Sequence, residues 1–275
     1  MKPSAFDYQR VARVEEAIDL LARHGEDAKI LAGGQSLVAM MNYRLVEPKL
    51  LIDITGIEGL ASIEEKGGFV DVGAAVTQAR LMAWPALAER LPLLAKAMPH
   101  IGHFQTRSRG TVCGSIAHSD PSSELPLVLA TLGGQVVLRS KRGSRTLAAD
   151  DFQTGPLSTA REPDEMVVAV RFPVRQAGAG YAFDEVTQRQ GDFAICSVAA
   201  VATAQEVRLG VGGVAGRPTV TRLSGAALAN PDGALNAFAW ELGGSDDIHA
   251  TAQYRRQLVR RIGRRIIEEA QSCRS

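Results

Sequence analysis

The chain has 275 residues, with 45% hydrophobic and 22% charged residues and a net charge of +1. This length and composition predict a globular protein of one large domain or two moderate ones. The near-neutral charge excludes partners collected by bulk charge, namely nucleic acid and anionic membrane surfaces.

The chain shows no targeting or membrane-spanning pattern. Its first residues contain no apolar core of signal-peptide length, and the uncharged run at residues 193–205 is too short to cross a bilayer. We therefore expect a cytoplasmic protein. Its three cysteines, Cys113, Cys196 and Cys273, lie too far apart for a CxxC pair, a metal site or an iron–sulfur ligand set.

The first zone of the chain predicts a small α/β unit. Val11, Val14, Ile18 and Leu21 recur at helical spacing, and Gly25 follows as a glycine does just past a helix end. The next predicted elements are a strand at residues 29–32, a glycine turn, a helix at residues 37–45 and a strand at residues 50–54.

The second zone starts near residue 67 and predicts an α+β arrangement, because its strands do not alternate regularly with helices. Strands are expected at residues 68–74, 135–139 and 166–172, with helices near residues 78–97 and 121–132. Residues 173–180 form the best linker candidate. Beyond it we expect strands at residues 181–186, 193–203 and 206–211 and a basic helix at residues 250–270, whose arginines suit a solvated face or a subunit contact.

The stretch "LAGGQS" places a double glycine at a strand-to-helix junction. Such a turn leaves backbone N–H groups uncovered beside a helix N-terminus, so Ala32 to Ser36 can hold a phosphate by backbone donors, with the Ser36 hydroxyl as a further donor. A tight turn that needs glycine only for its dihedral angles explains the same letters equally well.

A second glycine stretch, "TRSRGTVCGSIAHSDPSSELP", strengthens the phosphate interpretation. A loop at residues 111–115 can bring amides and hydroxyls to another part of a polyphosphate ligand, while Asp120 and Glu124 supply acceptors for sugar hydroxyls. We expect Asp120 as the N-cap and Pro121 as the first residue of the following helix. Two donor-rich loops with nearby carboxylates suit a dinucleotide.

A competing dinucleotide pattern, GxGxxA, begins at Gly210. The pattern must open a helix, yet Pro218 and a β-branched run follow almost at once, so the Rossmann interpretation is disfavoured. His100 and His103 are the one histidine pair close in sequence, and we interpret them as surface or loop residues rather than metal ligands.

At these residues the chain resembles a known family. "LAGGQSLVAMMNYRL" and the second glycine stretch resemble the two flavin-binding motifs of the FAD-containing medium subunit of molybdenum hydroxylases. This family includes the carbon monoxide dehydrogenase medium subunit and the flavin domain of xanthine dehydrogenase. The likeness covers essentially the whole chain, through "EPDEMVVAVRFP", "FDEVTQRQGDFAICSVA" and "YRRQLVRRIGRRII".

The resemblance implies an α+β fold in two domains. A two-part FAD-binding domain of the PCMH type is expected at residues 1–175, with parts at about 1–56 and 57–175. A smaller C-terminal domain, an antiparallel sheet with helices, is expected at residues 176–275.

The resemblance also implies a set of cofactor-binding residues and no catalytic or metal-binding residue on this chain. The AGGxS stretch wraps the FAD pyrophosphate, and the family's TxGGS loop runs along the diphosphate and ribityl chain. The residues that match family positions are Ala32, Gly33, Gly34, Gln35, Ser36, Ile101, Thr111, Val112, Cys113, Gly114, Ser115, Asp120, Glu124, Asp192 and Phe193.

Three of these positions carry alternatives. Phe193 matches an aromatic that covers one flavin face, but it also fits a core aromatic at a strand start. Ile101 matches a residue that covers the adenine side, and a core role fits it equally. Cys113 occupies a position where glycine is usual in the family. If φ is positive there, cysteine strains the backbone; if φ is negative, the thiol only adds bulk near the flavin. A reactive thiol is a more remote alternative.

The implied function is electron transfer. In the family, a large molybdopterin subunit hydroxylates the substrate and a small subunit passes electrons through two [2Fe–2S] clusters. FAD on the medium subunit then delivers them to an external acceptor such as a quinone, a cytochrome, dioxygen or NAD. The resemblance implies a heterotrimer that dimerises. The alternatives are a stand-alone PCMH-type flavin oxidoreductase and a flavin-free scaffold subunit.

Overall fold

The N-terminal part of the chain forms a three-stranded parallel sheet with helices in its connections, in a computed structural model that describes residues 2–274. Its elements are β1 (Asp7–Arg10), α1 (Val14–His24), β2 (Ala28–Leu31), α2 (Leu37–Asn42) and β3 (Leu50–Asp53). The strand order is β1-β3-β2. The predicted α/β unit is confirmed, and α1 ends at Gly25 with a φ of 52°. Strand β1 was not predicted, because its four residues are exposed and mostly polar.

The middle of the chain forms a five-stranded antiparallel sheet in the order β4-β5-β10-β6-β7. Its elements are β4 (Ile63–Lys66), β5 (Phe69–Gly73), α3 (Gln78–Met82), α4 (Leu87–Arg90), α5 (Pro92–Ala97), α6 (Phe104–Arg109), α7 (Val112–His118), α8 (Glu124–Leu132), β6 (Gln135–Ser140), β7 (Gly143–Ala148), α9 (Ala149–Phe152), β8 (Gln153–Gly155), β9 (Ser158–Thr159) and β10 (Met166–Pro173). The single helix expected near residues 78–97 is three short helices, because Pro85 and Pro92 cannot continue a helix.

The C-terminal part forms a four-stranded antiparallel sheet in sequential order. Its elements are β11 (Gly180–Val186), β12 (Cys196–Ala202), β13 (Glu206–Gly212), β14 (Thr219–Ser224), α10 (Gly225–Ala229), α11 (Asp232–Leu242) and α12 (Ala252–Ser272). Helix α12 packs on β11 and β12, and α11 packs on α12. Strand β14 and helix α11 were not predicted.

Two details of this part bear on the sequence interpretation. The GxGxxA stretch runs along β13 into a turn at Gly213, whose φ is 77°, and a strand follows instead of a helix. The rejection of a Rossmann motif is confirmed. The expectation that the arginines of α12 form one solvated face is wrong for Arg255, which is buried and donates hydrogen bonds to the carbonyls of Ile195 and Gly213.

Helix α8 joins the two larger sheets. It is buried along almost its whole length and contacts β12, β13 and β10. One hydrophobic core therefore extends from the N-terminal sheet to Tyr181 and Phe183 of β11. Within residues 2–274 no helix combines the length and the apolar character needed to cross a bilayer.

Candidate functional site

One large cavity lies where the first two sheets meet the loop between β11 and β12. Its volume is about 740 Å³, within the range typical of small-molecule sites. We call it the ligand cavity. The predicted site residues that line it are Ala32, Gly33, Gly34, Gln35, Ser36, Ile101, Thr111, Cys113, Gly114, Ser115, Glu124, Asp192 and Phe193. Residues as far apart in sequence as Ala32 and Phe193 therefore line the same cavity.

The first glycine turn carries the unpaired donors of the ligand cavity. The backbone N–H groups of residues 33–37 donate no hydrogen bond to any group within residues 2–274. They stand at the N-terminus of α2, where the helix dipole also favours negative charge. The Ser36 side chain does not cap α2. This turn thus presents several amides for an anion.

The two glycines of this turn serve different purposes. A Cβ at Gly33 would collide with the carbonyl oxygen of Arg109 and lie 2.7 Å from the Cα of Gly110. Gly33 therefore allows the turn to pack directly on the backbone that precedes α7. Gly34 has a φ of 71°, which L residues rarely adopt. Close packing and backbone conformation, rather than contact with a phosphate, explain why both positions are glycine.

The second motif is not the loop we expected. Residues 112–118 form α7, and Thr111 is its N-cap, accepting a hydrogen bond of 3.0 Å from the N–H of Gly114. The N–H of Val112 donates to the carbonyl of Val76. Val112 is fully buried and does not line the ligand cavity. Because the N–H groups of Gly114 and Val112 are already paired, the motif offers fewer free amides than the sequence predicts.

Cys113 lies in the first turn of α7 without backbone strain, since its φ is not among the positive values. Its thiol is 2% exposed and donates a hydrogen bond of 3.3 Å to the carbonyl of Val72. Burial raises the pKa of this thiol far above its ordinary value. Cysteine is therefore tolerated here as a small buried side chain, and the reading of a reactive thiol is wrong.

Asp120 is not a helix cap and does not line the ligand cavity. Its carboxylate accepts a hydrogen bond from the N–H of Ser122, and its carbonyl accepts one from Ser123, which closes a turn. The carbonyl of Pro121 accepts from the N–H of Gly213 instead of a helical donor. Helix α8 consequently starts at Glu124, three residues later than predicted.

Glu124 faces the ligand cavity from a buried position. It is 4% exposed, and burial raises the pKa of its carboxyl to about 8, with the nearby charge of Glu185 adding to the effect. The interpretation of His100 and His103 as surface or loop residues is confirmed, since the His100 side chain is 36% exposed and His103 is exposed in a loop. His100 ends a short 3-10 helix, and its Nδ1 lies 3.3 Å from Oε1 of Glu185.

Asp192 and Phe193 reach the ligand cavity from the loop between β11 and β12. Phe193 is 59% exposed, and β12 starts only at Cys196, so the alternative of a core aromatic at a strand start is wrong. Ile101 both lines the ligand cavity and belongs to the main core. Gly191, beside this pair, has a φ of 86° and packs against His103.

The structure adds cavity residues that the sequence interpretation missed. Lys29 of β2 and Arg161 both line the ligand cavity. Burial lowers the pKa of Lys29, and the charge of Arg161 lowers it further. Arg161 donates hydrogen bonds to the carbonyls of Glu162 and Glu165. Lys29 lies three residues before the AGG turn, so a basic residue close to a phosphate-binding motif could have indicated its role. The sequence around Arg161 contains no pattern that indicates a binding site.

The hairpin of β8 and β9 forms another unpredicted part of the wall. Leu157, Ser158 and Thr159 line the ligand cavity. Leu157 has a φ of 52°, and its N–H donates to the carbonyl of Ser119, whose own φ is 54°. A non-glycine residue with positive φ is uncommon, and here two of them meet by one hydrogen bond at the end of α7.

Comparison with known proteins agrees with this geometry. The family model described as "FAD binding domain in molybdopterin dehydrogenase" matches residues 4–175, and "CO dehydrogenase flavoprotein C-terminal domain" matches residues 181–270. The chain is 41% identical to the nicotine 6-hydroxylase medium subunit of Paenarthrobacter nicotinovorans, over 98% of this chain and 99% of that one.

Two further relatives have similar coverage. The chain is 34% identical to the carbon monoxide dehydrogenase medium chain of Afipia carboxidovorans, over 99% of each chain. A chain of the crystal structure of quinoline 2-oxidoreductase from Pseudomonas putida 86 superposes with a TM-score of 0.91 at 33% identity, again over 99% of each chain.

Proposed function

This chain belongs to the FAD-binding medium subunits of molybdenum hydroxylases, the family of the carbon monoxide dehydrogenase medium chain, and from that membership we propose that it binds FAD in the ligand cavity and passes electrons from a partner's iron–sulfur clusters to an external acceptor. The observation that carries the proposal is the row of unpaired amides at residues 33–37, which opens into a cavity of about 740 Å³. When bound, FAD supplies a carrier that accepts and releases electrons.

The residues of the ligand cavity fit the chemical parts of FAD. The amides of residues 33–37, together with Lys29 and Arg161, suit the doubly charged pyrophosphate. Glu124 and the hydroxyl of Ser115 suit sugar and ribityl hydroxyls. The exposed ring of Phe193 suits one face of the isoalloxazine.

Two predicted residues take indirect roles in this proposal. Val112 is buried in the first turn of α7, and Asp120 closes the turn that precedes Glu124. We assign Val112 to packing and Asp120 to positioning, because neither lines the ligand cavity.

The expected partners are a large molybdopterin subunit and a small subunit with two [2Fe–2S] clusters, in a heterotrimer that dimerises. The names of these three relatives concern nicotine, carbon monoxide and quinoline. One medium-chain fold thus accompanies three unlike substrates. We infer that the substrate of the complex is selected outside this chain and that no residue of this chain acts on it.

The composition of the native complex tests the proposal. The complex is purified through a tag on this chain, and its FAD, iron and molybdenum are measured. We expect FAD together with both metals, and FAD that becomes reduced when electrons are supplied to the metal-containing subunits. FAD without partner subunits would support the stand-alone flavin oxidoreductase instead. A complex that contains iron and molybdenum but no flavin would indicate the scaffold alternative.

A further inference from the structure

One buried side-chain oxygen in the wall of the ligand cavity has no hydrogen-bond donor. Gln78 is 5% exposed and lines the ligand cavity, and its Oε1 accepts no hydrogen bond from any group of residues 2–274. The other buried side-chain atoms without a partner in this part of the chain belong to residues outside the cavity wall. Burying an amide oxygen without a donor costs stability. A ligand in the cavity would supply the donor that the chain itself lacks.

The backbone holds Gln78 against the second glycine motif. Gln78 is the first residue of α3, and its N–H donates a hydrogen bond of 2.8 Å to the carbonyl of Gly110. Its neighbour Thr77 caps α3 and forms an isolated β-bridge with Thr111. These contacts fix the start of the side chain, whereas the terminal torsion of a glutamine is soft. The carboxamide can therefore turn toward a ligand while the backbone stays in place.

The carboxamide of Gln78 also lies next to the first glycine turn. A Cβ built on Gly110 would lie 3.4 Å from Oε1 of Gln78 and 3.5 Å from Cγ of Gln35. Both side chains therefore lie close to the same glycine, whose Cα in turn packs on Gly33. Gln35, Gln78 and Gly110 all line the ligand cavity. The unpartnered oxygen is thus near the turn whose amides suit the pyrophosphate.

The chemistry of FAD restricts the donor that can pair with this oxygen. The phosphate oxygens of a pyrophosphate carry no proton at neutral pH and only accept hydrogen bonds, so an acceptor beside them needs another partner. FAD carries hydroxyls on both sides of its pyrophosphate, on the ribityl chain and on the ribose. A hydroxyl can donate to an amide oxygen and still accept from another group. The N–H donors of the flavin and adenine rings lie further from the pyrophosphate along the molecule.

We propose that Gln78 is a cofactor-binding residue whose Oε1 accepts a hydrogen bond from a ribityl or ribose hydroxyl next to the pyrophosphate. The inference rests on the proposed function, because it requires FAD in the ligand cavity. In the flavin-free chain the carboxamide leaves a buried acceptor unpaired, and FAD pairs it on binding. Removing the carboxamide therefore acts differently on the two states. The flavin-free chain keeps or gains stability, while the FAD-bound chain loses one hydrogen bond.

Substitution by methionine, which is similar in length but has no amide, separates these two effects. Gln78→Met in the full chain should weaken FAD binding by about three- to tenfold, the value of one hydrogen bond. The urea midpoint of the flavin-free variant should equal or exceed that of the wild type. FAD affinity is measured by titrating the flavin-free chain and following flavin fluorescence.

Gln153→Met is the matched control. Gln153 is also buried with an unpartnered Oε1 in the described part of the chain, but it does not line the ligand cavity. Its Nε2 donates a hydrogen bond of 3.2 Å to the carbonyl of Pro126. Gln153→Met should therefore lower the urea midpoint and leave the affinity of the folded chain for FAD at the wild-type value. The two variants should thus differ in both measurements.

Two FAD analogues identify the hydroxyl that pairs with Gln78. One lacks the ribityl hydroxyl nearest the pyrophosphate, and the other lacks the ribose hydroxyl nearest to it. The wild type should bind one of them about three- to tenfold more weakly than FAD, and Gln78→Met should lose this discrimination. If Gln78→Met does not fold, the wild-type measurement decides: equal affinity for FAD and both analogues would overturn the inference.

Two results with the folded variant would also overturn the inference. The first is wild-type affinity for FAD in Gln78→Met, because a water molecule would then satisfy Oε1 in the complex. The second is weaker FAD binding together with a lower urea midpoint and unchanged discrimination between FAD and the analogues, which would indicate a structural role. A folded wild-type chain that binds no FAD would contradict the proposed function, and the inference with it.

Discussion

Replacing Glu124 by glutamine should make the flavin-free protein more stable than the wild type at alkaline pH. The carboxyl pKa rises from 4.5 to about 8 on folding, mainly through burial. The folded state therefore holds this proton more tightly than the unfolded state does. The resulting stability is fully present below about pH 4.5 and is lost as the pH rises through 8.

The size of this effect follows from the same values. Each pH unit between the two pKa values corresponds to about 1.4 kcal/mol, so ionising Glu124 in the folded protein costs on the order of 5 kcal/mol. This figure is an upper limit, because water and side chains relax around the new charge. Glutamine has the same shape as the protonated acid and carries no charge at any pH.

Urea unfolding from about pH 5 to pH 9 measures the difference. The free energy of unfolding of the wild type should fall relative to Glu124→Gln, with the steepest change between about pH 5 and pH 8 and little further change above pH 8. Glu241→Gln should follow the wild type at every pH, because that side chain is exposed. A difference between wild type and Glu124→Gln that stays constant within about 0.5 kcal/mol would refute the assignment of a buried neutral acid.

Three further predictions follow from the cavity wall. Gly33→Val should weaken FAD retention by about tenfold or more, because the valine side chain must displace the backbone at Arg109, at an overpacking cost of about 1–3 kcal/mol. Gly59→Val is the control, since the space around an added Cβ there is open. Equal FAD content in the two variants would contradict this prediction. Iodoacetamide should label exposed Cys273 and leave buried Cys113 unmodified in the folded chain, as peptide mass mapping can check. Phe193→Ala should change the free energy of unfolding by less than about 1 kcal/mol, since the residue is 59% exposed. The same variant should increase the quenching of bound-flavin fluorescence by iodide. Unchanged quenching would argue against a Phe193 ring that covers the flavin.

The sequence allowed the course of the chain to be predicted wherever periodicity or a breaker acts locally. Strand β3 and helix α1 were predicted in this way, because an apolar run or a C-terminal glycine marks them. Elements whose letters are polar or mixed, such as β1 and α11, form because of the neighbours they contact. Single-sequence patterns do not contain those neighbours.

The candidate site shows the same division. The AGG turn could be identified from the sequence because its glycines indicate a constrained backbone. The constraint at Gly33 is the close approach of the Arg109 carbonyl oxygen. The start of α8 could not be predicted from the sequence. The N–H of Gly213, from a distant part of the chain, donates to the carbonyl of Pro121, and the helix begins only at Glu124. Arg161 lies in the segment before β10. The sheet order β4-β5-β10-β6-β7 places this segment at the ligand cavity, beside residues of the N-terminal sheet.

The flavin released per chain from the denatured protein tests the central claim most directly. The chain is purified in its native complex, denatured, and the released cofactor is quantified against the chain and identified by chromatography. We predict one FAD per chain for the wild type and little for Gly33→Val in the same complex. A wild-type complex without FAD, or a Gly33→Val chain with a full complement of FAD, would contradict it.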